Sequence, residues 1–388
     1  MAAGKPLTVG LVAGESSGDD LGAALMRALR ERVPEVHFIG VAGPAMTAAG
    51  CESWADAEEL AVMGLFEVVR HLPRLVRLRR RIRQRFLERR PDVFIGIDAP
   101  EFNLGLAAVL HAAGIRTVQY VSPQVWAWRQ GRARRMARDL DLVLCLLPFE
   151  PRFYDRAGLR AVFVGHPLAD RLPLVPDRAA ARGELGLAAD SLVLALLPGS
   201  RAGEVLRLGD DFAGTAAWLA ARHPGLKCIA PMANAQARQL FERSLARRCP
   251  GVPVRLLDRR SPLALVAADV ALVASGTATL ETLLCKRPMV VAYRLGRLTA
   301  LALRGLRLLK TPYFAQPNLL AGRRVVPELA QDDVTPERLG AEIETWLDHA
   351  AEVAELERLF ADIHRQLAGG ASARAADAVL ALLGGRRE

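Results

Sequence analysis

Short apolar runs rich in β-branched residues alternate with longer segments of helical periodicity along almost the whole 388-residue chain. Few folds accept that pattern. The first half holds candidate strands at 8–12, 37–41, 93–98, 117–121, 142–146 and 161–164. The second holds them at 192–197, 227–230, 254–257, 270–274 and 289–293. Helical segments such as 20–32 and 104–113 lie between them. Strands separated by helical crossovers make parallel sheets. A run as continuous as Leu192-Val-Leu-Ala-Leu-Leu197 suits a strand covered on both faces. The 51% hydrophobic content excludes a disordered chain and is enough for sizeable cores.

The alternation breaks at 165–190, where Gly165-His-Pro-Leu-Ala-Asp170 is followed by Pro173, Pro176 and a short charged helix. This reads as a linker between two doubly wound, Rossmann-like α/β domains facing a cleft, with ligands expected at the carboxyl ends of the strands. The expected domains are 1–170 and 171–349. Beyond Thr335 the chain reads as helical to its end. No apolar run reaches the roughly 18 residues of a membrane-spanning helix. The first apolar run passes directly into Gly14-Glu-Ser-Ser-Gly-Asp19, as a first strand and loop do and a cleavable leader does not. Five scattered cysteines, never in a C-x-x-C pair, suggest neither a disulfide framework nor zinc, and point to a reducing, cytoplasmic compartment.

Three strand-to-helix turns are marked by glycine. The first, Gly10 to Gly22, matches neither G-x-G-x-x-G nor a Walker loop, yet it aims backbone N–H groups and a helix start at a ligand. A tight turn capped by Ser17 or Asp19 accounts for it equally well. The second is Pro198-Gly199-Ser200-Arg201. Gly199 allows close approach of an anion and Arg201 offers charge-assisted bonds to phosphate, against the plainer reading of Ser200 as an N-cap. The third is Ser275-Gly276-Thr277-Ala-Thr-Leu-Glu281. Ala278 stands where a capping box would need Ser or Thr, which leaves Glu281 available for paired hydroxyls such as those of a ribose.

Asp98 ends an apolar strand just before Ala99-Pro100. There it is a candidate general base, with an Asx-turn or N-cap aspartate as the alternative. Asp139 and Asp141 have D-x-D spacing, but the alternation of a strand would split their carboxylates, so no metal site is expected. The seven histidines form no ligand constellation; His166 suits a structural hydrogen bond. No G-x-S-x-G elbow is present.

The formal net charge is +10, and 48 of the 52 basic residues are arginines. Ten of these lie within 70–90, flanking an apolar stripe of Leu75, Leu78, Ile82 and Phe86. Smaller basic groups lie at 129–138 and 294–310. The scarcity of lysine indicates a compositional bias toward arginine. The helix is therefore read first as a solvated face whose stripe packs on a sheet. Membrane contact is expected just before it, through Met63, Leu65, Phe66 and Arg70. Nucleic acid is not expected as a partner, since no helix-turn-helix or aromatic-interleaved RNA motif accompanies the charge.

Taken together, the segments resemble the lipid-A-disaccharide synthase family, inverting glycosyltransferases of GT-B architecture. They are Gly14-Glu-Ser-Ser-Gly-Asp19, Gly96-Ile-Asp-Ala-Pro-Glu-Phe-Asn103 and Tyr120-Val-Ser-Pro-Gln-Val-Trp-Ala-Trp-Arg129. Leu147-Pro-Phe-Glu150, Val164-Gly-His-Pro-Leu-Ala-Asp170, Leu197-Pro-Gly-Ser-Arg201 and Ser275-Gly-Thr-Ala-Thr-Leu-Glu281 follow, then Pro317-Asn-Leu-Leu-Ala-Gly-Arg323 and Val326-Pro-Glu-Leu-Ala-Gln331. Glu101 stands where aspartate is common and Gln124 where serine is common.

The resemblance implies transfer of 2,3-diacylglucosamine from UDP-2,3-diacylglucosamine to 2,3-diacylglucosamine 1-phosphate. The product would be the β-1′,6-linked lipid A disaccharide 1-phosphate, made with inversion and without cofactor or metal. The setting would be peripheral, on the anionic cytoplasmic face of the inner membrane of a Gram-negative bacterium. It also implies C-terminal helices, from about 350 to 388, that return to the first domain. Asp98 would be the base. Gly199, Ser200, Arg201, Ser275, Gly276, Thr277, Glu281 and Asn318 would hold UDP, and Ser17 and Asp19 would line the acceptor side. Another UDP-sugar enzyme of the same architecture, an epimerase or a transferase to a different lipid, is the alternative.

Overall fold

A computed structural model describes residues 6–60, 65–123, 131–296 and 313–385; at 15, 16, 58 and 65–73 it describes the backbone only. The chain divides into two compact units. The first is Met1–Asp170 with Leu367–Glu388, and the second is Arg171–Gln366.

Among the described residues the first unit has seven strands: β1 (Leu7–Ala13), β2 (Val36–Ala42), β3 (Cys51–Asp56), β4 (Val93–Ile97), β5 (Arg116–Tyr120), β6 (Leu142–Cys145) and β7 (Ala161–Phe163). Their order is β3-β2-β1-β4-β5-β6-β7 and each pairing is parallel. Every residue of β4 is buried, as a strand covered on both faces requires. One face packs Leu25, Met26 and Leu29 of the helix Glu15–Arg32 together with Ala375, Val379 and Leu382 of the helix Ala371–Gly384. The other packs Leu78, Ile82 and Phe86 of the helix Leu65–Arg89 with Leu106 and Leu110 of the helix Pro100–Ala112. Phe86 lies between Trp54 and Phe94, with ring centroids 4.8 and 5.4 Å away.

The arginine-rich helix is thus a covering helix whose stripe sits in the core. Some of its charge is satisfied within the unit. Arg74 pairs with Glu59 at 2.8 Å and Arg89 with Glu52 at 2.9 Å, while Arg81 donates to the Trp54 carbonyl.

The second unit contains β8 (Val193–Leu197), β9 (Lys227–Met232), β10 (Val254–Asp258), β11 (Val270–Ala274), β12 (Met289–Tyr293) and β13 (Glu328–Ala330). They pair in parallel in the order β10-β9-β8-β11-β12-β13. Leu208 and Phe212 of the helix Ala202–Ala220, Phe241 of the helix Ala235–Arg248 and Ile343 of the helix Pro336–Asp348 fill its core.

Two strands escape the sequence reading. β3 is an edge strand with only Cys51 and Trp54 buried, so its Cys-Glu-Ser-Trp-Ala-Asp lacks an apolar run. β13 is three residues long. The expected strand 93–98 ends one residue early, because Asp98 leaves the ladder at φ 52°. The stretch 350–366, expected with the first domain, belongs to the second unit, and the chain returns only at Leu367. The apolar C-terminal stretch is two helices, Ala350–Leu367 and Ala371–Gly384, parted at 368–370. Leu356, Phe360 and Ile363 of the former and Val379 and Leu382 of the latter are buried.

The return is fastened by Asp170. One carboxylate oxygen accepts from the backbone N–H groups of Gly369 and Gly370 at 2.8 and 2.9 Å, and the other from Ala371 at 2.6 Å. These donors form the N-terminus of the last helix, where a carboxylate also meets the favourable end of the helix dipole. Asp170→Ala is expected to lower stability by about 1–2 kcal/mol, read as a lower urea midpoint for the unfolding of the first unit.

Candidate active site

In each sheet the strand order reverses once, between β1 and β4 in the first and between β8 and β11 in the second. At such a point the crossovers lead away on opposite faces and leave a crevice at the carboxyl ends of the two strands. All three glycine-marked turns and the turn that carries Asp98 follow these four strands.

In the first unit Gly14 follows β1 and Asp98-Ala99 follows β4. The two turns touch: a Cβ on Gly14 would fall 2.6 Å from that of Ala99. Only glycine fits there. Asp98 and Ala99 both adopt left-handed backbone, at φ 52° and 39°, and Pro100 then starts the next helix. Non-glycine residues held in that region cost about 1–3 kcal/mol each and persist only where their surroundings enforce them. The enforcement is visible. The Asp98 N–H donates to the Tyr120 carbonyl at 2.9 Å. The Asp98 carbonyl accepts from Asn103 Nδ2 at 2.9 Å and Gln119 Nε2 at 3.1 Å, both side chains being buried.

Ser17 is exposed on the first turn of the helix Glu15–Arg32. Asp19, expected beside it on the acceptor side, instead points inward and is buried. Its carboxylate accepts from the backbone N–H groups of Gly43, Ala45 and Met46 at 2.7–3.0 Å, capping the short helix Pro44–Ala48.

In the second unit the turn after β8 holds Gly199 at φ 130°, with Ser200 and Arg201 exposed. Arg201, not Ser200, is the N-cap of the helix Ala202–Ala220. Glu204 reaches back. Its Oε2 accepts from the N–H groups of Ser200 and Arg201 at 3.0 and 3.3 Å, and its Oε1 lies 3.4 Å from Arg201 Nη1. A carboxylate therefore already sits on the donors an anion would use. Asn234 pins the same turn through the Ser200 carbonyl at 3.0 Å.

After the adjacent β11, Gly276 (φ 143°) precedes the helix Thr277–Leu284, and both Gly276 and Thr277 are exposed. The N–H of Ser275 is held by the Ala292 carbonyl and its hydroxyl donates to the Phe314 carbonyl. Glu281 is half-buried, and burial pushes its carboxyl above the usual range against the opposing effects of a hydrogen bond from Ser261 and the charge of Arg171. It therefore has a local partner, Ser261, that the sequence did not suggest.

Asn318 is fully buried and wholly engaged. Its Nδ2 donates to the Val326 carbonyl at 2.9 Å and to Glu328 at 2.7 Å, and its Oδ1 accepts from the N–H groups of Val325 and Val326. It closes the loop into β13, which corrects its expected place among the diphosphate donors. Of the D-x-D pair, Asp141 is engaged locally. Burial raises the Asp141 carboxyl, but the Thr117 N–H, Arg116 and His111 outweigh burial and hold it below the usual range. His166 makes the expected structural bond, its Nδ1 accepting from the Leu168 N–H at 3.1 Å.

Of the expected membrane residues, Met63 lies outside the described residues, and Leu65, Phe66 and Arg70 are described only as helix backbone. Asn103, Gln119, Glu204, Asn234 and Ser261 were not singled out as site residues by the sequence. A signal existed for Asn103, which shares the buried i, i+3, i+4, i+7 face of its helix with Leu106, Ala107 and Leu110.

A family model described as lipid-A-disaccharide synthetase matches residues 9–380. The lipid-A-disaccharide synthase of Serratia proteamaculans is 50% identical over 97% of this chain and 98% of its own. That of Xanthomonas euvesicatoria pv. vesicatoria is 53% identical over 98% of this chain and 87% of its own. Among solved structures, the calicheamicin glycosyltransferase is similar with a TM-score of 0.61 at 17% identity, covering 98% of this chain and 99% of its own. The UDP-GlcNAc 2-epimerase of Neisseria meningitidis, bound to UDP-GlcNAc, is similar with a TM-score of 0.63 at 10% identity, covering 97% of this chain and 100% of its own. At such identities the structures report a shared fold.

Replacing Asn318 by alanine is expected to cost at least about 2 kcal/mol, since buried donors and acceptors lose their partners together. The measurement is the chemical-denaturation midpoint; an unchanged midpoint would return Asn318 to the ligand-binding residues.

Proposed function

The chain belongs to the lipid-A-disaccharide synthase family and is a glycosyltransferase of lipid A biosynthesis, and on that premise we propose how its residues carry the reaction. The donor is UDP-2,3-diacylglucosamine and the acceptor 2,3-diacylglucosamine 1-phosphate. The observation that carries the mechanism is the enforced left-handed turn that presents Asp98 at the carboxyl end of β4, against the Gly14 turn.

Asp98 takes the proton of the acceptor's 6-hydroxyl as that oxygen attacks the anomeric carbon from the face opposite UDP. The new C–O bond forms while the bond from the anomeric carbon to the phosphate oxygen breaks, and its electron pair leaves with UDP. One in-line displacement inverts the centre and gives the β-1′,6-linked disaccharide 1-phosphate. No covalent enzyme intermediate is required. Ser17, exposed beside the turn, contacts the acceptor sugar.

The second unit receives UDP. Arg201, with the backbone of Gly199 and Ser200, meets the diphosphate, helped by the N-terminus of the helix Thr277–Leu284 after Ser275 and Gly276. These donors stabilise charge developing on the leaving oxygen, the task a divalent ion performs in other transferases. Glu281 accepts from the ribose hydroxyls.

Both substrates are acylated and phosphorylated, so the protein works as a peripheral enzyme on the anionic cytoplasmic face of the inner membrane. Met63, Leu65, Phe66 and Arg70 are the proposed contacts, ahead of the stripe that Leu78, Ile82 and Phe86 bury in the core.

Purified protein incubated with both substrates is expected to give one disaccharide 1-phosphate, identified by mass, with a β linkage by NMR. Asp98→Asn should abolish it while UDP affinity in calorimetry stays unchanged; normal turnover would overturn the base assignment. In EDTA full activity is expected, and a strict magnesium requirement would overturn the metal-free account.

A further inference from the structure

The polypeptide around Asp98 is strained at more than one point. Besides Asp98 and Ala99, Val121 at the end of the neighbouring β5 is left-handed, at φ 73°. A β-branched residue in that region is a genuine outlier. Asp98 and Val121 thus leave adjacent strands through backbone that their side chains disfavour. Such clusters of strain gather where a group must be aimed.

Two buried amides tie these turns together. Gln119, 1% exposed, donates from Nε2 toward the carbonyls of Asp98, Tyr120 and Val121 at 3.1–3.3 Å. Asn103, 0% exposed, donates from Nδ2 to Asp98 O at 2.9 Å and toward Val12 O and Ile97 O at 3.3 and 3.4 Å. The Asp98 carbonyl is therefore bracketed from both sides, by a residue of β5 and by one reaching across to β1. Gly96 makes room for this, since a Cβ there would lie 2.7 Å from that of Asn103. Methionine or leucine would fill either position with less desolvation; an amide gains its place by the carbonyls it satisfies.

We propose that Asn103 and Gln119 are positioning residues for the reaction: their amide N–H groups hold the left-handed Asp98-Ala99 turn and so fix the direction of the Asp98 carboxylate. The inference rests on the reading of Asp98 as the base. Neither amide touches substrate. A reacting group displaced by about 1 Å can lose about 10²-fold in rate, which sets the size of the effect.

The test uses Gln119→Met and Asn103→Ala in the full-length enzyme, with kcat, the KM for the UDP-sugar, UDP affinity and the urea midpoint measured on each. Expected is a fall in kcat of about 10²-fold with KM and UDP affinity unchanged. Because either variant could fold poorly, each is also made with Ala99→Gly, since glycine accepts the left-handed turn without steric cost. With folding thus restored, kcat is expected to stay low, because the donors are still missing. A wild-type kcat in either folded variant overturns the proposal. So does recovery of kcat with folding, or a parallel loss of kcat and UDP affinity, since each marks a purely structural role. Asp98→Asn run alongside separates the two levels: if it is active, the base assignment fails and the clamp's stated role with it. If it is inactive while the amide variants are fully active, the clamp alone fails.

Discussion

Parallel pairing is the constraint from which the rest of the molecule follows. A parallel ladder joins neighbouring strands only through long crossovers, here mostly helical, and it sends every strand's carboxyl end to the same edge. Two sheets built this way present two edges of turns, and at β1/β4 and β8/β11 the crossovers part. Asp98 and Gly14 share one of those places, and Gly199 and Gly276 the other. No long-range coincidence is needed to gather them; the strand order does it.

A second theme is the use of carboxylates as internal anions. Asp170 binds the start of the last helix, Asp19 caps Pro44–Ala48, and Glu328 accepts from the N–H groups of Phe314 and Ala315. Asp269 collects Arg178, Arg182 and the N–H of Val193. Each satisfies backbone or guanidinium donors that loops and helix ends would otherwise leave unmet. Several arginines are likewise committed within a unit, to such carboxylates and to backbone carbonyls.

The fold was largely legible because β1, β4, β8 and β11 are continuous apolar runs, and a run buried on both faces announces itself. Edge strands do not, which is why Cys51–Asp56 and Glu328–Ala330 were missed. At the site, turns were legible and side-chain direction was not. Asp19 and Asp98 are both carboxylates near strand-to-helix turns, yet one faces the N–H groups of Gly43, Ala45 and Met46 while the other opens a strained turn at a strand end. Asn318 carried a chemically sensible expectation and proved to be a loop fastener. Which way a polar side chain points depends on donors more than twenty residues away for Asp19, and sequence spacing says little about them.

The Glu204 carboxylate on the Ser200 and Arg201 N–H groups gives the turn after β8 a resident occupant. On the proposed function, a diphosphate arriving there would not fill a vacancy; it would exchange with a tethered rival already drawing on the same donors. Its affinity would then be a difference between two anions, and its departure would be assisted by the return of the tethered one. Such a loop would favour turnover over tight retention.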